Sequence, residues 1–229
     1  MATWNELLPG LWRSVYTTGS GIEANAYALT LGDGNLAVVS PIAGADAATF
    51  DATEALGKVV ALVAPNTGHD LGQAAWQARY PTAVSYAPAV AAPSITKAKK
   101  LRPVEPLASL MPLLPSDVKV LDAPGTSSGS LIFTVERAGQ RALFIDEVIS
   151  NNEVFKGPLP FKIVFSLTGS TGPLATNKVW LFAFCKDKPA YARAVIEHGG
   201  DATTLLFAHG EPATGEMGAT VRQRLGVYK

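Results

Sequence analysis

Six apolar residues, Val59-Val60-Ala61-Leu62-Val63-Ala64, run straight into Pro65-Asn66-Thr67-Gly68 and then His69-Asp70. The apolar run is short and β-branched, which reads as a strand buried on both faces. The four residues after it are turn formers. Gly72 to Arg79 carries Ala74, Ala75 and Trp76 and predicts a helix. Polar groups at the exit of a buried strand, ahead of a helix, are where α/β folds place their chemistry. Asn66, Thr67, His69 and Asp70 are therefore the first candidates for a binding cleft.

The rest of the 229-residue chain bounds the answer. Hydrophobic residues make up 48%, enough for a substantial core, and only 17% are charged, which argues against long disordered tails. Lysine plus arginine equals aspartate plus glutamate, 19 each, so no overall bias points to nucleic acid or an anionic membrane. The densest basic run, Lys97 to Arg102, reads as a solvated loop before Pro103. A single cysteine, Cys185, excludes an internal disulfide and a cysteine-rich zinc site. It sits in the apolar run Val179 to Cys185, where a buried small hydrophobe is expected. The opening MATWNELLPGLW has neither the basic start nor the apolar stretch of a signal peptide. No segment approaches the roughly 20 apolar residues of a membrane span, so a soluble cytoplasmic protein is expected.

In order, Leu11 to Tyr16, Ala26 to Leu31 and Leu36 to Ser40 read as three strands of an antiparallel meander. Gly32-Asp33-Gly34-Asn35 is a hairpin turn, because these residues tolerate positive φ. Ala45 to Gly57 predicts a helix, Ala83 to Ala87 a strand, and the proline-rich Pro88 to Pro106 an irregular segment. Val118 to Leu121, Leu131 to Glu136 and Arg141 to Ile145 are further strands, the last ending in Asp146-Glu147. Asn151 to Pro173 has no clear assignment. A helix from Ala190 to Glu197, a strand from Thr203 to Ala208 and a helix from about Gly215 to Leu225 complete the chain. About ten strands and four helices, hairpins alternating with strand–helix units, suit one domain over residues 1–229. The expected class is α/β with mixed sheets, a four-layer αββα sandwich.

The order of motifs along nearly the whole chain resembles the metallo-β-lactamase superfamily. Ala64 to Gly72, A-P-N-T-G-H-D-L-G, is similar to its metal motif T-H-x-H-x-D-H-x-G. Anchored on Gly72, Pro65 and Thr67 fall where the first two histidines belong, His69 on the aspartate and Asp70 on the third histidine. Pro124-Gly125-Thr126-Ser127-Ser128-Gly129-Ser130 keeps the frame of P-G-H-T-x-G-S with Thr126 in place of the ligand histidine. Ile145-Asp146-Glu147 resembles the strand-end T-G-D motif. Glu147 then takes the bridging-carboxylate position, with Asp146 as the one-residue alternative. The final histidine is kept as His209 in Ala208-His209-Gly210-Glu211-Pro212. The chain also resembles a family of unknown function within the superfamily, written A-P-N-x-x-H-H-L, through Ala64-Pro65-Asn66, His69, Leu71, Trp76 and Tyr80-Pro81. Asp70 replaces its second histidine.

The resemblance implies a degenerate metal site in an αββα sandwich. A hydrolytic zinc site needs about three protein ligands and an open position. Of the three histidines, His198 precedes Gly199-Gly200 at a helix end and is placed outside the site. The cleft is then expected to hold Asn66, Thr67, His69, Asp70, Thr126, Asp146, Glu147 and His209. The favoured expectation is a cleft with no metal ligands and no cofactor, binding a small molecule or a partner. The alternative is a hydrolase acting on an ester, thioester or phosphodiester through one metal ion or through histidine–carboxylate acid–base chemistry. Geometry separates them. His69 and His209 can share one ion only if their rings lie within about 6 Å with a common polar partner, because the bonds are near 2 Å. Pro158 to Phe165, PLPFKIVF, is expected either to cover the cleft or to form a dimer contact.

Overall fold

The meander predicted at the start of the chain is one strand longer than expected. A computed structural model describes residues 3–99, 101–152 and 157–229. Met1, Ala2, Lys100 of the basic run and residues 153–156 of the unassigned segment lie outside them. Strands β1 (Asn5–Leu8), β2 (Leu11–Thr17), β3 (Glu23–Gly32) and β4 (Asn35–Val39) pair antiparallel in sequence order. Asp33 and Gly34 take positive φ in the turn before β4, as a tight hairpin requires. Then α1 (Ala47–Glu54), capped by the Asp46 carboxylate on the Thr49 N–H at 2.8 Å, leads to β5 (Lys58–Val63). Next come α2 (Gln73–Arg79), β6 (Val84–Ala87), α3 (Ala92–Lys99) and β7 (Val104–Pro106). Strands β4 to β7 run parallel, completing a seven-stranded sheet in the order β1 to β7.

The second half begins with β8 (Val118–Asp122), β9 (Leu131–Arg137) and β10 (Gln140–Phe144). A small ribbon of β11 (Ile149–Asn152) and β12 (Gly172–Thr176) is separated by α4 (Leu159–Thr168). There follow α5 (Lys178–Phe184), α6 (Lys188–Gly199), β13 (Thr204–Leu206), β14 (Ala213–Thr214) and α7 (Met217–Leu225). The five-stranded sheet runs β14-β13-β10-β9-β8, with β10 and β13 parallel. Among the described residues, no helix is long and apolar enough to cross a membrane.

Three apolar clusters define the layers. Tyr27, Val39, Val63, Phe133, Phe144 and Leu206 fill the space between the two sheets. Val38, Leu62 and Trp76 cover the outer face of the first sheet. Leu143, Leu205, Tyr191, Val195 and Val221 join α6 and α7 to the outer face of the second. Val38 and Val39 point to opposite clusters, as do Leu62 and Val63. This is why β4 and β5 read as unbroken apolar runs. The result is the αββα order expected from the sequence.

The differences lie where turn residues hid regular structure. Pro88 to Pro106 is not irregular: it holds α3, packed through Ile95 against Ala64, Ala87 and Val104, and the edge strand β7. Pro106 ends β7 at the sheet edge, where a missing N–H costs no ladder bond. Lys97 and Lys99 therefore belong to a helix rather than a loop. Asn151 to Pro173 carries the end of β11, α4 and the start of β12. Fourteen strands and seven α-helices, against about ten and four expected, are found among the described residues.

Candidate functional site

Four strand ends converge at one edge of the sandwich. At the end of β4, Ser40 takes φ 54° and turns its hydroxyl inward, 2.9 Å from His69 Nδ1 and 3.1 Å from the Tyr16 hydroxyl. At the end of β5, Asn66 Oδ1 accepts the N–H groups of Gly68 at 2.6 Å and His69 at 3.2 Å. An Asx turn thereby fixes the loop that presents His69. Gly72 lets this loop press onto the first sheet, since a Cβ there would overlap the Pro41 carbonyl.

At the end of β10, Asp146 and Glu147 separate in role. Asp146 takes φ 49° and is fully buried, accepting from Asn66 Nδ2 at 2.8 Å. Glu147 turns the other way, toward the histidines. After β13, the Phe207-to-Glu211 loop is clasped by the first sheet. The Tyr27 hydroxyl donates to the Phe207 carbonyl at 2.8 Å and accepts the Phe207 N–H at 3.1 Å. Asn25 Nδ2 donates to the Phe207 and Gly210 carbonyls at 2.9 and 2.7 Å. The Arg13 guanidinium holds Asn25 Oδ1 at 2.9 Å and both carboxylate oxygens of Glu211 at 2.6 and 2.8 Å. This clasp aims His209, whose Nδ1 lies 2.6 Å from the Glu23 carbonyl and donates to it.

The outcome is a cluster of three. His69 Nε2 lies 2.8 Å and His209 Nε2 3.2 Å from the same Glu147 oxygen, and the two ring centroids are 5.0 Å apart. One potential ligand atom from each residue lies within 4.8 Å of the others. The two-residue offset of His69 from the resembled motif therefore does not carry it away from His209.

Charge is unevenly held here. Burial alone would raise the Glu147 pKa, but the His209 charge and hydrogen bonds from both imidazoles outweigh it and hold this carboxyl well below the usual range. Burial alone would depress His209, and Glu147 reverses that, lifting it to about 9. Asp146 is pushed well above its ordinary value, first by burial and then by the neighbouring Glu147 charge. Adjacent carboxyls thus hold opposite tendencies.

The linkage has a definite sign in metal-free protein. His209 is raised, so its contribution to stability is full below about pH 6.5, its unfolded value, and lost as pH rises through about 9. Asp146 is also raised and acts in the same direction. Glu147 is lowered, so its contribution is present above about pH 4.5 and lost as pH falls through its folded value. The thermal midpoint of protein kept in a chelating buffer is expected to decline between about pH 6.5 and 9, and His209→Gln is expected to flatten much of that decline. Parallel curves for the two proteins would contradict it.

A cavity of about 420 Å³ opens on the cluster, and Asn66, Thr67, His69, Glu147 and His209 line it. Asp70, Thr126 and Asp146 are not among its lining residues. Asp70 is buried at the loop's end, where its carbonyl accepts the Gln73 N–H. Thr126 forms an antiparallel bridge with Cys185. Cys185 is itself buried, with its thiol pKa raised chiefly by burial. His198 stands apart in the last turn of α6, its pKa lowered chiefly by burial. Of PLPFKIVF, Phe161 and Phe165 face the cavity, while Leu159, Ile163 and Val164 are exposed outside its lining. Sequence reading did not find Arg13, Asn25, Tyr27 or Ser40. The one available signal was an asparagine inside an otherwise apolar strand, Ala24-Asn25-Ala26.

No family model matches the chain, and no curated protein matches it. Solved structures do match, along essentially the whole length. The DIM-1 metallo-β-lactamase superposes with a TM-score of 0.63 at 11% identity, covering 100% of this chain and 98% of its own. TMB-1 gives 0.62 at 12% identity, with 99% and 97% covered. The metallo-β-lactamase FIM-1 from Pseudomonas aeruginosa, in its mono-zinc form, gives 0.61 at 16% identity, with 99% and 95% covered. At such identities the likeness establishes the fold: this chain has the metallo-β-lactamase sandwich.

Proposed function

We propose that this chain is a hydrolase of the metallo-β-lactamase fold that holds a single metal ion on His69, Glu147 and His209. The observation that carries the reading is the convergence of one potential ligand atom from each of the three residues within 4.8 Å, with both Nε2 atoms on one Glu147 oxygen. Two imidazoles and a carboxylate are a donor set suited to zinc or ferrous iron. The remaining ring nitrogens are already engaged, Nδ1 of His69 by Ser40 and Nδ1 of His209 by the Glu23 carbonyl. Such outer contacts orient ligand imidazoles and fix which nitrogen faces the ion. The donor set fits one ion and not two, since Pro65, Thr67 and Thr126 supply no imidazole where the two-ion motif has one. That FIM-1, a protein of the same fold, is described in a mono-zinc form supports a one-ion site in this sandwich.

A bound ion of this kind would supply an activated water near neutral pH and polarise a substrate carbonyl. The protein's own residues do the rest. Ser40 and the Arg13–Asn25–Tyr27 clasp hold the two rings in place. Asn66 keeps the His69 loop in register and contacts the buried Asp146. Thr67 lines the cavity beside the cluster and offers its hydroxyl to a substrate.

One observation favours a second reading. The Glu147 carboxylate already closes on both imidazoles, with His209 raised to about 9, so the cluster is electrostatically satisfied as an ion pair. In that reading the cleft binds a small molecule without metal.

The two readings part on chelation. Purified protein is expected to hydrolyse short-chain nitrophenyl esters or thioesters, to lose at least about 90% of that activity on dialysis against a chelator, and to regain it with zinc or ferrous iron. Hydrolysis indifferent to chelation contradicts the metal ion, and hydrolysis absent from every ester and thioester tried contradicts the hydrolase.

A further inference from the structure

We infer that the cavity beside the histidine cluster binds the apolar chain of a neutral amphiphile, so that the ester cleaved is a medium- to long-chain acyl ester. Cleavage rests on the hydrolase reading, whereas binding of the chain does not.

The first observation is the lining. Ile22 of the β2–β3 turn, Phe161 and Phe165 of α4, and Val179, Trp180 and Phe184 at α5 wall the cavity. Among the described residues no lysine or arginine lines it, and outside the His69–Glu147–His209 cluster its polar groups are neutral hydroxyls and amides. Away from that cluster, a polyanion would find no counter-charge among the described side chains of the lining. A ligand with a polar head at His69, Glu147 and His209 and an apolar tail toward α4 and α5 matches the distribution. At about 30 Å³ per group, the share of one water in the liquid, 420 Å³ admits roughly a dozen methylene-sized groups.

The second observation is α4. Its sequence, LPFKIVFSLT, is apolar except for Lys162, Ser166 and Thr168, yet none of its residues is buried and Phe161 is 54% exposed. A helix this rich in apolar residues ordinarily buries at least one face against a core. Here the cavity takes the place of that core on the inner face. Filling it with hydrocarbon would cover the faces that Phe161 and Phe165 turn to the cavity.

The test uses 1-alkanols, from 1-butanol to 1-decanol, with the full chain and calorimetry. These probes need neither metal nor turnover. Affinity is expected to rise by about fourfold per added methylene, the increment for burying one CH₂. Phe161→Asp, at a half-exposed helix position, is expected to weaken 1-decanol by at least tenfold. Leu167→Asp, 83% exposed and outside the cavity, is expected to leave it unchanged. Affinity independent of chain length overturns the inference. So does a Phe161→Asp protein that binds as the wild type, or a loss confined to Leu167→Asp, which would place the alkanol on the outer face. Chain-length-dependent binding with chelator-insensitive hydrolysis overturns the metal reading alone. Chelator-sensitive hydrolysis without chain-length dependence overturns this inference alone.

Discussion

Glu147→Gln is expected to lower metal affinity by more than about a hundredfold and to take ester hydrolysis down with it. Loss of a residue that merely orients a ligand already costs about 10–100-fold. Glu147 does more, because its one oxygen faces both imidazoles, at 2.8 and 3.2 Å. Glutamine keeps the shape but removes the negative charge that offsets a cation. It also removes the partner that lifts His209 to about 9. Ser40→Ala is the matched comparison. It withdraws one contact to His69 Nδ1, and its loss should fall within that 10–100-fold range. Competition against a zinc indicator measures both. Equal affinity in Glu147→Gln and wild type would remove Glu147 from the ligand set.

Trp76→Ala is expected to cost about 3–5 kcal/mol of stability, the range for deleting a large buried aromatic side chain. Trp76 is fully buried on α2, donates its indole N–H to the Ile42 carbonyl at 3.0 Å, and meets the Phe50 ring edge-on at 5.2 Å. Alanine leaves a cavity under the outer face of the first sheet and strands that carbonyl. Domains have only about 5–15 kcal/mol in hand, so the loss is a large fraction of the total. In urea it should appear as a lower midpoint with an unchanged slope. Because α2 follows the His69 turn directly, metal affinity should fall as well. A change below about 1 kcal/mol would mean that the layer collapses onto the vacancy.

Strands covered on both faces were the most legible part of the chain. Val59 to Ala64 and Leu36 to Ser40 declare themselves as apolar runs between turn residues, and both lie at the centre of the first sheet. Pro88 to Pro106 misled because four prolines suggest loop. Here they fall at or near boundaries, with Pro93 in the first turn of α3, where its missing N–H costs nothing, and β7 closing on Pro106. In the site, the neighbours Asp146 and Glu147 could not be separated by motif alone. The positive φ of Asp146 decides it, burying one carboxyl and turning the other toward the histidines. The distance from His69 to His209 was not legible either. It depends on the Asx turn at Asn66 and on the clasp that Arg13, Asn25 and Tyr27 make nearly two hundred residues away in sequence. Periodicity carries no trace of such contacts.

The most direct test is the metal content of protein purified without a histidine tag, read by elemental mass spectrometry. The account predicts about one zinc, iron or manganese ion per chain, lost in His209→Ala. No bound metal after incubation with each ion, in protein shown to be folded, would contradict it.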